Sequence, residues 1–112
     1  MPTPLSSLDP DHLYQRLVAL GHEWSDADAA ASALEETRKS VLAEVKLSCE
    51  GKTVAEREAQ ALAGVGYRDH VAAMVEARRK ANRARVNYNV ALVWADVVRS
   101  KEATARAEMT LR

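Results

Sequence analysis

The last third of the chain carries an unbroken helical pattern of apolar and polar residues. Residues 67–111 contain neither Gly nor Pro, so the pattern predicts one helix of about 44 residues, about 66 Å long at about 1.5 Å per residue. A domain of this size is only about 30 Å across. We therefore expect this helix to protrude from the fold or to pair with another helix.

Apolar residues, most of them alanines, line one side of this helix at alternating steps of three and four. Such spacing is typical of the a and d positions of a heptad repeat. Glu102 is the one charged interruption. We call this row the alanine seam, and it consists of Met74, Ala77, Ala81, Ala84, Tyr88, Ala91, Ala95, Val98, Ala105 and Met109.

A second apolar row, the valine stripe, lies beside the alanine seam and consists of Val86, Val90, Val93 and Val97. A helix that is apolar on two faces has to be covered from two directions. The longest earlier helix pattern, over residues 26–50, is only about half as long and leaves part of this surface facing water. We therefore predict a homodimer formed through the C-terminal helix, with these self-association residues: Ala84, Tyr88, Ala91, Trp94, Ala95 and Val98.

The beginning of the chain predicts a leader followed by a short helix. Residues 1–8, with two prolines and two serines, have the composition of a flexible leader. Asp9 suits an N-cap and Pro10 suits the first helical position, where a missing N–H does no harm. We expect a helix over residues 10–20 that ends at Gly21.

Ser25, followed closely by two acidic residues, suits the N-cap of a second helix. The pattern predicts that this helix covers residues 26–50 and ends at Gly51. Its expected inner face consists of Ala30, Leu34, Thr37, Val41, Val45 and Ser48.

Thr53 and Glu56 have the spacing of a capping box, which predicts a third helix over residues 54–63. Gly64 and Gly66 then offer two flexible positions for a tight reversal into the long helix. We therefore predict one all-α domain over residues 9–112, an antiparallel hairpin of two long helices with two short additions.

The formal net charge of the chain is zero, but the charges are unevenly distributed. Residues 1–63 hold 11 acidic and 6 basic side chains, whereas residues 64–112 hold 5 acidic and 10 basic ones. The acidic first half can pair with the basic second half, within or between chains. A nucleic-acid surface on the last helix is the alternative, although the sequence pI of about 6.8 is low for a duplex-binding domain.

Five basic residues within eight positions are the best candidates for binding a partner. They can contact phosphates or an acidic protein surface, or they can flank a helical seam and pair with Glu of a neighbouring helix. These candidates are Arg78, Arg79, Lys80, Arg83 and Arg85.

Metal and catalytic sites are not indicated by the sequence. Cys49 is the only cysteine, so neither an intrachain disulfide nor a cysteine-based metal site can form. A cluster of potential ligands would need further ligands from elsewhere in the chain, and only His12 and His70 remain to supply them. We therefore interpret the acidic residues of this cluster as helix-capping residues. This cluster consists of His22, Glu23, Asp26 and Asp28.

Other catalytic signatures are also missing. There is no Gly-x-Ser-x-Gly motif and no phosphate-binding loop, and Cys49 near a helix C-terminus is a poor candidate for a thiolate. No secretory signal is recognisable, and no stretch approaches about 18 uninterrupted apolar residues. We expect a cytoplasmic protein that is not an enzyme, needs no cofactor and does not bind membranes.

Three features carry a resemblance to a known group of proteins: the run Thr53-Val54-Ala55-Glu56-Arg57-Glu58, the aromatic residues Tyr67 and Trp94, and the run Arg99-Ser100-Lys101-Glu102-Ala103-Thr104-Ala105-Arg106-Ala107-Glu108-Met109. Across residues 53–109 the chain resembles small helical proteins encoded by tailed phages and prophages. Such genes often lie near single-strand annealing and replication genes, so the resemblance implies an accessory role in DNA metabolism.

These observations favour a non-enzymatic phage or prophage accessory protein that binds another macromolecule through a helical dimer. The expected partner is a host or phage protein. A nucleic-acid-binding helical protein that supports phage recombination or replication is the alternative. In a phage-encoded protein, the expected location is the host cytoplasm.

Overall fold

The computed structural model describes residues 9–111. These residues form four α-helices and no strand: α1 (Pro10–Glu36), α2 (Arg38–Leu47), α3 (Val54–Ala63) and α4 (Val65–Leu111). The predicted all-α class and the long C-terminal helix are therefore confirmed. The predicted leader, residues 1–8, lies outside the described residues.

Two compact units make up the described chain. The first combines the residues up to Trp24 with the residues from Arg83 onward, and the second comprises Ser25–Asn82. The helices α1 and α4 each contribute residues to both units.

In the first unit, α1 begins where the sequence predicts. The Asp9 carboxylate accepts a hydrogen bond from the backbone N–H of His12 at 2.9 Å, as an N-cap residue does. The second oxygen of this carboxylate lies 2.8 Å from Nδ1 of the His12 ring. These two contacts, the backbone one above all, hold the pKa of Asp9 below its usual value of 3.8.

The predicted helix end at Gly21 is wrong, because α1 continues through it to Glu36. One Gly inside a helix costs only about 1 kcal/mol relative to Ala. A Cβ atom at Gly21 would lie 3.4 Å from the ring of Tyr88, and the rings of Trp24 and Tyr88 lie 5.6 Å apart between centroids. The glycine therefore allows α1 to approach Tyr88 closely while the helix continues.

The predicted helix over residues 26–50 is also wrong, because α1 passes Ser25 without a break and the helix is interrupted at Thr37. The Thr37 hydroxyl donates to the carbonyl oxygens of Ala33 at 2.9 Å and Leu34 at 3.2 Å. A hydroxyl that bonds back to the preceding turn tends to bend a helix. The next helix, α2, starts at Arg38 and ends at Leu47, before the predicted stop at Gly51.

In the second unit, α3 has the predicted bounds and the predicted cap. The Thr53 hydroxyl accepts from the backbone N–H of Glu56 at 3.1 Å. The Glu56 carboxylate reaches back to the N–H of Lys52 at 2.9 Å, one residue before the N–H that the capping box predicts. A Cβ atom at Gly51 would lie 2.8 Å from the backbone nitrogen of Arg57, so the chain can approach α3 this closely only with Gly at this position.

The connection between α3 and α4 is shorter than predicted, since α4 already starts at Val65. No glycine among the described residues adopts a positive φ, and Gly64 has the extended values φ −73° and ψ 154°. A Cβ atom at Gly66 would lie 3.3 Å from a methyl group of Val45. The small size of Gly66 therefore makes room for α2 beside the start of α4.

We expect Thr53→Ala to lower the free energy of unfolding by about 1 kcal/mol, because it removes the oxygen that caps α3. Urea denaturation at one fixed protein concentration measures this change. Thr110→Ala is the matched control, since the Thr110 hydroxyl donates to the Arg106 carbonyl within α4 and caps nothing. Equal destabilisation by the two changes would contradict the assigned role of Thr53.

Candidate functional site

The alanine seam of α4 is largely covered within a single chain. In the first unit, Ala84 and Ala91 are buried, and Tyr88 between them contacts Gly21 and Trp24 of α1. These two alanines are therefore not accessible to a second copy, which corrects the predicted set of self-association residues.

The rest of that predicted set has mixed exposure. Ala95 and Val98 are half-buried and line the same groove as Leu13 and Leu17 of α1. Trp94 is exposed and does not belong to the covered face. Farther along α4, the seam residues Ala105 and Met109 are exposed as well.

The valine stripe is exposed to solvent along its whole length. The exposed fractions are 52% for Val86, 49% for Val90, 63% for Val93 and 36% for Val97. On a helix with about 100° between residues, the mean direction of this stripe lies about 150° from that of the alanine seam. The stripe therefore does not lie beside the seam, as predicted, but on the face of α4 that points away from it.

Two shallow grooves run along this outward face and share Val93. One is lined by Val86, Asn89, Val90, Val93 and Trp94. The other continues from Val93 towards the end of α4 as far as Glu108. Together they form a continuous strip in which Trp94, exposed to 40%, is the largest apolar side chain.

Charged residues flank the distal part of this strip. Asp96 forms an ion pair with Arg99, three residues later on the same helix. Lys101 lines the distal groove together with Asp96. The distal groove therefore has both an acidic and a basic group among its lining residues.

Arg78, a predicted partner-binding residue, is already bound inside the second unit. Its guanidinium donates to Asp28 at 2.7 Å and makes two hydrogen bonds, of 2.5 and 3.1 Å, to the two oxygens of Glu35. Such bidentate contacts are among the stronger hydrogen bonds of side chains. This part of the basic cluster therefore pairs with acids from the first half of the chain.

The same contacts shift the protonation of the groups involved. The hydrogen bonds from Arg78 hold the pKa of Glu35 below its usual value of 4.5. In turn, Glu35 and Asp28 raise the pKa of Arg78. All three side chains remain partly exposed, so solvent screening keeps the contribution of this cluster modest.

The other members of the basic cluster point outward. Arg79 forms an ion pair of 2.8 Å with Glu76 on the same helix, and this pairing raises the pKa of Arg79. Lys80, Arg83 and Arg85 are exposed. They remain the accessible basic groups of the predicted site.

The metal-ligand candidates are not brought together. Within residues 9–111, no group of three or more His, Cys, Asp or Glu side chains is arranged to hold a metal ion. His70 donates from Nε2 to the Leu34 carbonyl oxygen at 2.8 Å, and Asp28 binds Arg78. The thiol of Cys49 donates to the Val45 carbonyl at 3.2 Å, so each of these groups has a role in local structure.

We expect Arg78→Met to lower the melting temperature at neutral pH, because it leaves Glu35 and Asp28 close together without their cation. Since folding lowers the pKa of Glu35, its contribution is fully present above pH 4.5 and is lost as the pH falls through the lower folded value. The difference between the native protein and the variant should therefore shrink below about pH 4.5.

Thermal denaturation at several pH values checks this expectation, together with an NMR titration of the Glu35 side-chain carboxyl. Arg79→Met is the matched control, since its partner Glu76 lies on the same helix. A Glu35 titration that is the same in the native protein and in Arg78→Met would contradict the proposed coupling.

No protein-family model, curated protein or solved structure matches this chain. Among the helices in residues 9–111, none has the length and apolar character that crossing a membrane requires. A function for this protein therefore has to be inferred from the surfaces of its own helices.

Proposed function

We propose that this chain is a non-enzymatic accessory protein that forms a homodimer through the outward face of α4 and binds another macromolecule. The observation that carries the proposal is the exposed valine stripe with Trp94 beside it. Contiguous exposed apolar patches mark interaction sites. Tryptophan in particular is enriched among the residues that dominate binding energy.

We also propose that α1 and α4 form an antiparallel hairpin. In the second unit, Leu34 contacts His70, while the earlier residue Asp28 contacts the later residue Arg78. This inverse order is what an antiparallel pair produces. In such a hairpin, α1 would occupy the alanine seam and leave the valine stripe for a second copy in a coiled-coil contact.

The biological setting is part of the same proposal. The resemblance of residues 53–109 to small helical proteins of tailed phages and prophages supports a phage or prophage origin. The host cytoplasm would then be the place of action, and a host or phage protein would be the partner. An adaptor of this kind needs no catalytic group and no cofactor.

Nucleic-acid binding is the second candidate function, and it is favoured by the exposure of Lys80, Arg83 and Arg85. The argument for nucleic-acid binding is weakened by the carboxylates that pair with Arg78 and Arg79, because these pairs neutralise two of the five basic groups within the chain. We therefore favour a protein partner over DNA.

We expect light scattering at micromolar concentration to give about twice the chain mass of 12.3 kDa. Val90→Glu should reduce this mass to that of the monomer while the helical circular dichroism persists, because the added charge points away from the seam that the chain covers. Val75→Glu is the matched control, since Val75 is an exposed valine of α4 outside the stripe, and it should remain dimeric.

Ala91→Glu separates folding from association in the same assay. Because Ala91 is fully buried within the chain, a charge there should lower the melting temperature strongly and not merely change the mass. A native protein that stays at 12.3 kDa at micromolar concentration would exclude the homodimer.

A salt titration of DNA affinity decides between the two candidate functions. Each phosphate neutralised by a basic side chain contributes roughly 0.9 to the slope of log affinity against log salt. We expect weak binding at about 150 mM salt and little change when Arg79, Lys80 and Arg83 are all replaced by Ala. Sub-micromolar affinity that the triple variant loses would establish DNA binding in its place.

A further inference from the structure

We infer that the two copies pair in parallel and in register, so that each residue of the valine stripe faces the same residue of the second copy. This inference rests on the homodimer proposed above and specifies its geometry. It follows from three features of the first unit: the heptad register of the stripe, the charges beside it and the exposure of the last turns of α4.

The valine stripe has the spacing of a heptad seam. Its steps of four, three and four place Val90 and Val97 at a positions and Val86 and Val93 at d positions. The same register continues to the end of α4 through Ser100, Thr104, Ala107 and Leu111. The register spans more than three heptads, and six of its eight a and d positions are apolar, with polar residues at Ser100 and Thr104.

The charges beside this seam complement one another in a parallel pair. Asp96 occupies a g position and Lys101 the e position five residues later. In a parallel two-stranded coiled coil, the g residue of one helix lies beside the following e residue of the other. Asp96, which pairs with Arg99 on its own helix in the single chain, would also meet Lys101 of the second copy, which gives two equivalent contacts between the copies.

An antiparallel pair lacks this complementarity. With Val90 facing Val93 of the second copy, Asp96 would lie near Asn89, which carries no charge. Ser100 would face Arg83 of the second copy and bring Lys101 close to the same guanidinium, so like charges would meet twice. The charge pattern therefore favours the parallel orientation.

The ends of the seam are consistent with this orientation. The preceding a position is Arg83, and two facing arginines would end the parallel contact just before Val86. Towards the other end, residues 103–111 are all exposed in the single chain, including the apolar Leu111 at an a position. Parallel pairing would place Leu111 against itself and cover this side of the last turns.

Disulfide trapping distinguishes the two orientations. In a Cys49→Ser background, Ser100→Cys places one thiol at a d position of each copy. In the parallel pair these thiols face each other, whereas in the antiparallel pair they lie about 25 Å apart along the helices. Since a disulfide needs Cα atoms within about 7 Å, only the parallel dimer should be cross-linked by mild oxidation.

A mixture of two single-cysteine chains, Arg83→Cys and Ser100→Cys, tests the opposite case. An antiparallel dimer would give the mixed product and no product from Ser100→Cys alone. That result would overturn the parallel inference and leave the proposed homodimer intact. A native protein that is monomeric in light scattering would overturn both.

Charge reversal tests the ion pairs themselves. Asp96→Lys alone and Lys101→Asp alone should each weaken the dimer about tenfold, because each change creates two like-charged pairs between the copies. An equal mixture of the two variant chains should recover the native affinity, since every Asp or Lys then meets an opposite charge. Analytical ultracentrifugation of the single and mixed samples measures this, and no recovery in the mixture would contradict the pairing.

Discussion

The structure depends on a helix that is apolar on two nearly opposite faces. A single neighbouring helix can cover only one of them, and within the chain that face is the alanine seam. Its small side chains let α1 come close, and Gly21 adds space for Tyr88 on the facing side. Close contacts of this kind need a matching shape on both helices. The alanine seam therefore packs against α1, and the larger, more exposed valines do not take part in this contact. Once α1 packs on the alanine seam, it cannot also cover the valine stripe, which therefore stays exposed.

The charged residues likewise divide into those that pair within the chain and those that remain exposed. The acidic first half and the basic second half meet where Asp28 and Glu35 bind Arg78, as one of the two interpretations of the charge pattern predicted. This contact fixes side chains at the surface of the second unit more than it adds stability, since partly exposed ion pairs are screened by water. It also removes charge from the cluster that a phosphate would have to contact. The basic groups of the cluster that remain, Lys80, Arg83 and Arg85, belong to a chain of zero formal net charge, whose long-range attraction for an anion is weak.

Local signals in the sequence predicted local structure well. The N-cap at Asp9 and the cap and bounds of α3 at Thr53 depend on hydrogen bonds between residues close in the chain, so the sequence contains all the information they need. The error at Gly21 has a different cause. A glycine costs a helix about 1 kcal/mol, and the contacts with Tyr88 that justify keeping it come from residues far away in sequence. Whether a glycine ends a helix or makes room for a neighbour is thus decided by tertiary packing, which periodicity alone does not reveal.

The same limit explains what was missed at the candidate site. Periodicity found both apolar rows of α4 but assigned Ala84 and Ala91 to a second copy, because the helix over residues 26–50 was expected to cover only part of this surface. In the structure, the residues of α1 up to Trp24 belong to the same unit as these two alanines, which are buried, whereas the valines stay exposed. Small side chains allow two helices to pack closely, whereas the valines of the stripe, at both a and d positions, suit a heptad seam between separate helices. The residue types of the two rows therefore differ as their exposure in the structure does, and the valine stripe is the row that the proposed second chain would contact.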